Sequence, residues 1–481
     1  MGRYLSHVIS RNRYLQLQGI RSGGKLVNIE LESIFITLRA TRTRTVETED
    51  HWLDDERKLA HGEKRAPQTE TVVVKVQEAL ADNLRMVVLG APGSGKTTLM
   101  RYLALLYSRD CAEGSTSVRD VLGLSENGHT PILLPLRGLG AYLKTHYPQD
   151  DGTEGHARLL DYLQEYLKNE RIKVDENFFD TLLNSGRVVM LLDGLDEVGS
   201  EDLRRRVARI VDSFAAAYSQ CRIVVTSRIV GYSGAARLGE NFATTTVRDF
   251  TLADIQQFLT HWHRMVSIGQ MGVGESAEKY ATDQTEQLLT AIQKNSRVRD
   301  LALNPLMLTV IALVHRDRVK LPDRRAELYA EAVDVLLGKW DEARGVQESP
   351  ILNDRPFDII NRRLMLREIA LKMQEKGLRE IEADDLNQQL RAAFTPLTKT
   401  KAESVSAAER FLTVIRERTG LLVEAGQGVY RFSHLTFQEY LAAVEIAERD
   451  DYIAYTLSHV ADPTWREPTL LEAGYLSLNS R

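Results

Sequence analysis

"VVLGAPGSGKTTLM", residues 87–100, decides how the rest of the chain is read. An apolar strand runs into a glycine-rich turn, and the turn runs into "KTTLM", the start of a helix. Gly90, Gly95, Lys96 and Thr97 have the spacing of a phosphate loop in its required strand-before, helix-after context. Glycines let the backbone wrap close to an anion, so successive amides point inward. The helix adds partial positive charge at its N-terminus. Gly90, Pro92, Gly93, Ser94, Gly95, Lys96, Thr97 and Thr98 therefore form the candidate cradle. Lys96 reaches the terminal phosphates, and Thr97 ligates Mg²⁺.

A second stretch, "VVMLLDGLDEV" at residues 188–198, needs a positive partner. Its apolar half reads as a strand buried on both faces, and it ends in Asp193, Asp196 and Glu197. Burying a carboxylate without a partner is costly. A magnesium nucleotide supplies the charge: Asp193 is placed to hold the metal, Asp196 and Glu197 to orient or deprotonate an attacking water. A further strand ends in "VVTSR". Its Arg228 is placed to approach a γ-phosphate, and Thr226 or Ser227 to hydrogen-bond it. No Asn-Lys-x-Asp motif for guanine is present, which favours adenine.

Around these stretches the pattern alternates. "RMVVL" (85–89), "PILLPL" (131–136), "VVMLL" (188–192), "RIVVT" (222–226) and "TTTV" (244–247) are separated by segments long enough for crossover helices. That spacing predicts a mostly parallel α/β sheet. From Leu252 to about residue 419 the chain reads as helical, with "LMLTVIALV" from Leu306 as a buried helix. "GLLVEAGQGVYRF" predicts a hairpin turning at Gly426–Gly428, followed by a helix carrying Phe437, Tyr440, Leu441 and Val444 on one face. Ahead of the sheet, Ile29, Leu31, Ile34, Ile36 and Leu38 suggest a strand-rich element. The charged run "ETEDHWLDDERKLAHGEKR" reads as a solvated helix or linker, and "RATRTRT" and "LRRRVAR" as solvated basic faces.

The bulk numbers set limits. At 481 residues the chain has room for roughly three domains. A net charge of −5 argues against a general nucleic-acid binder. Two cysteines, Cys111 and Cys221, cannot build a disulfide framework, which points to a reducing, cytoplasmic setting. No run reaches the roughly 18 apolar residues of a membrane span. Gly2 with Ser6 fits a myristoylation pattern so loose that coincidence is the simpler reading.

In "GAPGSGKTTLM", "PILLPLRGL", "GRVVMLLDGLDEV", "RIVVTSR", "LALNPLMLTVIALV", "LPDRRAELYAEAVDVLLGKW" and "YRFSHLTFQEYLAA", taken in this order, the chain resembles the NACHT family of STAND-class signalling ATPases. The paired-acid "DGLDE" is the most discriminating of these. The resemblance implies an α/β P-loop NTPase with a parallel sheet, then a small helical domain and a winged-helix domain closing over ADP. It also implies a division into an N-terminal region and linker (1–71), a nucleotide-binding domain (72–250), a helical domain (251–345), a winged helix (346–450) and the opening of a helical array (451–481). By position, Arg228 resembles the first sensor, Pro305 the residue that packs on adenine, and His434 the sensor of the ADP β-phosphate. Read without the resemblance, Pro305 after Asn304 starts a helix, and His434 is a helix-start or packing residue.

The N-terminal region resembles no death-fold, TIR or nuclease domain, and the sensing repeats of the class are missing, so a truncated or minimal member is expected. The implied function is an ATP/ADP switch with slow hydrolysis. It would self-associate on activation by an unidentified trigger, expected to be a protein, in innate immunity or antiphage defence. Two other functions compete with it. A multiple-turnover AAA+-like ATPase would need an arginine finger and a lid arginine that the sequence does not place. A transcription regulator using its winged helix on DNA is opposed by the acidic charge.

Overall fold

The computed structural model describes residues 2–15, 21–22, 25–26, 29–45, 69–91, 93–126, 128–149, 155–172, 178–198, 201–229, 232, 236–315, 324–337, 359–414, 421–426, 428–432 and 434–479. Pro92, Ser433 and the charged run 47–65 lie outside the described residues. The chain divides into two compact units. The first is residues 1–9, 37–167 and 173–249, the second residues 10–36, 168–172 and 250–481.

The first unit is built on a seven-stranded sheet. Its strands are β1 (Arg39–Thr45), β2 (Thr69–Lys75), β3 (Arg85–Leu89), β4 (Thr130–Pro135), β5 (Val188–Asp193), β6 (Arg222–Ser227) and β7 (Ala243–Val247), in the spatial order β2-β1-β7-β3-β6-β5-β4. The five strands from β3 to β7 pair in parallel. This is why β5 and β6 carry continuous apolar runs: helices cover both faces, and neither strand has a solvent side. Crossovers run through α2 (Lys96–Glu113), α3 (Leu136–His146), α4 (Ala157–Asn169) and α5 (Glu201–Ala217). The acid-bearing β5 is not the neighbour of the phosphate-loop strand β3, because β6 lies between them.

The N-terminal part differs from the sequence reading. Residues 2–12 form a helix, α1 (Gly2–Asn12), whose Tyr4 hydroxyl is buried and donates to Pro131 O at 2.8 Å. The apolar alternation from Ile29 to Leu38 is not a strand. Leu31–Ile34 is one helical turn, and its two buried residues stand three apart, a spacing that fits either period in so short a run. The strand is the polar "RATRTRT". As β1 it pairs antiparallel with both β2 and β7, so the sheet takes in residues well before 72. Within "LRRRVAR", Arg206 is buried and donates to Tyr147 O at 2.6 Å, so that face is solvated only in part.

The second unit is helical apart from two small antiparallel sheets, the first a two-stranded pair of Arg21–Ser22 with Lys25–Leu26. The helices α6 (Leu252–Met271) and α7 (Glu275–Lys294) pack together, α6 starting at a capping box of Thr251 and Asp254. α8 (Pro305–His315) is buried along almost its whole length, as its apolar run required. There follow α9 (Arg325–Leu336), α10 (Ile359–Glu375), α11 (Ala383–Phe394) and α12 (Lys401–Val414). β8 (Ile381–Glu382) interrupts the span read as wholly helical, and it joins β9 (Leu422–Gly426) and β10 (Val429–Phe432) in the order β8-β10-β9. The hairpin β9–β10 feeds α13 (Leu435–Ala447), which packs against α10 and α15 (Arg466–Asn479), with α14 (Tyr452–His459) between α13 and α15 in sequence. No helix among the described residues is long and apolar enough to cross a membrane.

Candidate nucleotide-binding site

The site grows from the C-terminal ends of β3, β5 and β6. After β3 the chain turns through Gly90–Gly95 into α2. A Cβ on Gly90 would stand 2.5 Å from the Ser94 hydroxyl and 3.3 Å from Val247 Cβ, so a side chain there would have to displace the serine and press on β7. Gly95 holds φ +91° at the helix start, a left-handed conformation that favours glycine. No side chain caps α2, so its first amides are offered to whatever the loop encloses. The Lys96 ammonium curls into the loop and donates to Gly90 O at 2.8 Å and Ala91 O at 3.0 Å. Burial pulls its pKa down to about 8, against the opposing pull of Asp196, Asp193 and Glu197. Thr97 is exposed, Thr98 half-buried and Ser94 buried.

Asp193 closes β5 and meets this loop. Its carboxyl accepts from the Thr226 hydroxyl at 2.5 Å, and Thr97 lies near enough to favour its charged form. The Thr226 hydroxyl also accepts from Gly194 N at 2.8 Å. Burial first, and the nearby Glu197 second, push the Asp193 carboxyl above its ordinary range. The sequence reading offered the Thr226 and Ser227 hydroxyls to a phosphate. In the structure Thr226 is committed to Asp193 and Gly194, and Ser227 donates to Arg228 O at 3.1 Å.

The two remaining acids have separate partners. Asp196 accepts from the backbone N–H of Arg228 at 2.8 Å, and its other oxygen stands 3.2 Å from Arg228 Nε. Glu197, one residue on in a single turn of 3-10 helix, pairs instead with Arg137 Nη1 at 3.1 Å. Arg137 was not singled out in the sequence. The signal lay in strand order: β4 pairs with β5 in a register that sets Pro135 beside Asp193, and α3 begins one residue later. Lys96, Asp193, Asp196, Glu197 and Arg228 are thus brought together, with Arg137 added.

Pro305 and His434 belong to the second unit. Pro305 opens α8 behind Asn304, whose side-chain oxygen accepts from the amides of Leu306 and Met307. His434 is the N-cap of α13: its Nδ1 accepts from Thr436 N at 3.2 Å. A ring nitrogen that accepts from an amide carries no proton, so a neutral His434 has its proton on Nε2 as a donor.

A glycine-rich loop entering an uncapped helix, beside an acid-tipped strand one strand removed, defines a P-loop NTPase. Comparison with known families places it further. Residues 84–265 match the NACHT domain, and residues 325–446 match the winged helix-turn-helix domain C-terminal to NACHT, a match that begins inside the span read as the helical domain. The chain belongs to the NACHT family of P-loop NTPases. Among solved structures it is similar to Cdc6p from Pyrobaculum aerophilum, at 11% identity over 83% of this chain and 96% of that chain, with a TM-score of 0.24. No curated protein matches.

Proposed function

We propose that the chain is an ATP/ADP-controlled switch: bound ADP keeps it closed, and exchange for ATP allows it to self-associate and signal. The observation that carries the reading is one chain holding both an open phosphate-loop helix and a NACHT-type winged helix that starts a helix at His434. In this reading Gly90–Thr98 hold the phosphates, Lys96 neutralises the terminal ones and Arg228 senses the γ-phosphate. Pro305 packs on adenine, and His434 donates from Nε2 to the ADP β-phosphate. Hydrolysis is slow and resets the switch.

Mg²⁺ fits the residues present. It takes few protein ligands and keeps several waters, and Thr97 already lies near a carboxyl that burial has made short of positive charge. The metal would supply charge neutralisation of the phosphates. The reading extends to a defence or innate-immune role triggered by another protein, on the strength of the family alone.

The test is to identify the nucleotide that co-purifies and to follow oligomeric state with ADP and with ATP. Retained ADP, with larger assemblies on ATP, is expected. Rapid multiple turnover with no retained nucleotide would overturn the switch.

A further inference from the structure

The seven-stranded sheet has two edges, and they are finished differently. β4, at one end of the strand order, has proline at 131 and 135, which supply no N–H, and its Pro131 carbonyl accepts from the Tyr4 hydroxyl of α1. β2, at the other end, pairs only with β1 among the described strands and holds no proline. Its Thr71 and Lys75 are exposed, and Val73 keeps 54% exposure.

The direction of each backbone group on β2 follows from the neighbouring strands. Arg248 N donates to Arg39 O, so Arg39 and Thr41 turn their backbone groups to β7, while Ala40 and Arg42 turn theirs to β2. Val76 N donates to Leu38 O in the same phase. The register Ala40↔Val74 and Arg42↔Val72 then points Val72 and Val74 inward. Thr69, Thr71, Val73 and Lys75 point away from the sheet. Lys75 N is spent on Glu78 Oε2 at 3.3 Å. Thr69, Thr71 and Val73 are left presenting both an amide and a carbonyl along an open edge.

We propose that this edge pairs with the same edge of a second copy, antiparallel about a two-fold axis at Thr71. Such an axis sets one residue opposite its own copy. With Thr71 at the axis, Thr71 exchanges both bonds with its counterpart, and Thr69 exchanges both with Val73. Every outward N–H and C=O from Thr69 to Val73 then has a partner. An axis at Val73 would set Thr71 against Lys75, and one at Val72 would set Thr69 against Lys75, whose amide is already used. Because the β4 edge is blocked, the assembly closes at two copies. The contact uses no residue of the phosphate loop or its acids, and so goes beyond the switch reading.

The test is sedimentation equilibrium over a concentration series with ADP and no ATP, which keeps ATP-driven assembly out of the measurement. The parent is expected to show a reversible monomer–dimer equilibrium. Thr71→Lys and Thr71→Glu each set like charges opposite one another at the axis and weaken the dimer about three- to tenfold, and an equimolar mixture of the two restores it. Val73→Pro removes an outward N–H from each copy, costing two bonds per dimer and roughly thirtyfold in affinity, with no bond to β1 lost. Thermal melts equal to the parent's show that the variants fold. Under mild oxidation Thr71→Cys forms a disulfide-linked dimer, and Val73→Cys does not, because the axis holds the two Val73 positions apart. A parent that stays monomeric at every concentration overturns the proposal, and so does a dimer that neither Thr71 variant weakens. A mixture of the Lys and Glu variants no tighter than either alone, or cross-linking through Val73→Cys in place of Thr71→Cys, overturns the pairing about Thr71.

Discussion

Three helix starts in this chain carry residues that the family resemblance ties to nucleotide, and their amides are treated differently. α2 begins at Gly95 with no side chain to cap it. α8 begins at Pro305 with its next amides bonded to the Asn304 side chain. α13 begins at His434, whose own ring accepts the amide of Thr436. A helix leaves its first amides without partners inside the helix, so each start is capped, hydrated or open to a ligand. The first has no side-chain cap. The other two are satisfied from within, so neither needs a nucleotide to explain its local structure. Any ligand contact there would have to use groups other than the capping atoms, such as the proline ring of Pro305 or the Nε2–H of His434.

The sharpest way to test the open helix start is through the acids that serve it. Glu197→Gln keeps the size of the side chain and one acceptor oxygen and removes the carboxylate base. Hydrolysis is expected to fall about 10²–10⁴-fold with nucleotide binding retained. Asp196→Asn should act differently, since it weakens the grip on Arg228. Single-turnover rates and equilibrium binding on both variants check this, and equal effects on the two constants would undo the separation of roles.

Lys96→Ala should lower nucleotide affinity by on the order of a hundredfold, because charge-assisted bonds to the terminal phosphates are lost. Titration with a fluorescent analogue measures it. Unaltered affinity would mean that the loop amides alone hold the ligand.

The same lysine gives a pH dependence. Its pKa of about 8 means that it is a cation below pH 8 and neutral above. Phosphate binding needs the cation, so above pH 8 the site must first take up a proton. Affinity should then fall about tenfold per pH unit above 8 and stay flat just below it. The residual binding of Lys96→Ala should show no such break at pH 8.

The legible and illegible parts of the molecule divide along the same physical line. The phosphate loop, β5 with its acids and the β9–β10 hairpin were readable because each is a local pattern: glycines at fixed offsets, an unbroken apolar run, two turn glycines between strands. The place of β6 between β3 and β5 was not, because parallel strands meet through crossovers that leave no local trace of the order. Arg137 was hidden for this reason, its partner lying 60 residues away. β1 was hidden for another. "RATRTRT" alternates polar with polar, and its Thr41 hydroxyl bonds Thr246 O across the ladder, so no apolar face marks it as a strand. His434 was read without the resemblance as a helix-start residue, and the cap bears that out, while leaving its second nitrogen as a donor.

That double use gives the smallest effect and the most discriminating one. Removing the cap with His434→Ala should lower the stability of the second unit by about 1 kcal/mol, the usual cost of losing an N-cap. His434→Asn should restore most of that stability, because asparagine is among the best capping residues. It cannot restore a donor on the far side of the ring, because its short side chain is spent on the helix. Should His434 hold the ADP β-phosphate through Nε2–H, both variants release ADP about tenfold faster than the parent, although only one of them is destabilised. Should His434 be a cap and nothing more, His434→Asn matches the parent in both measurements. Thermal melts and ADP off-rates on the three proteins separate the two, since stability reports Nδ1 and the off-rate reports Nε2.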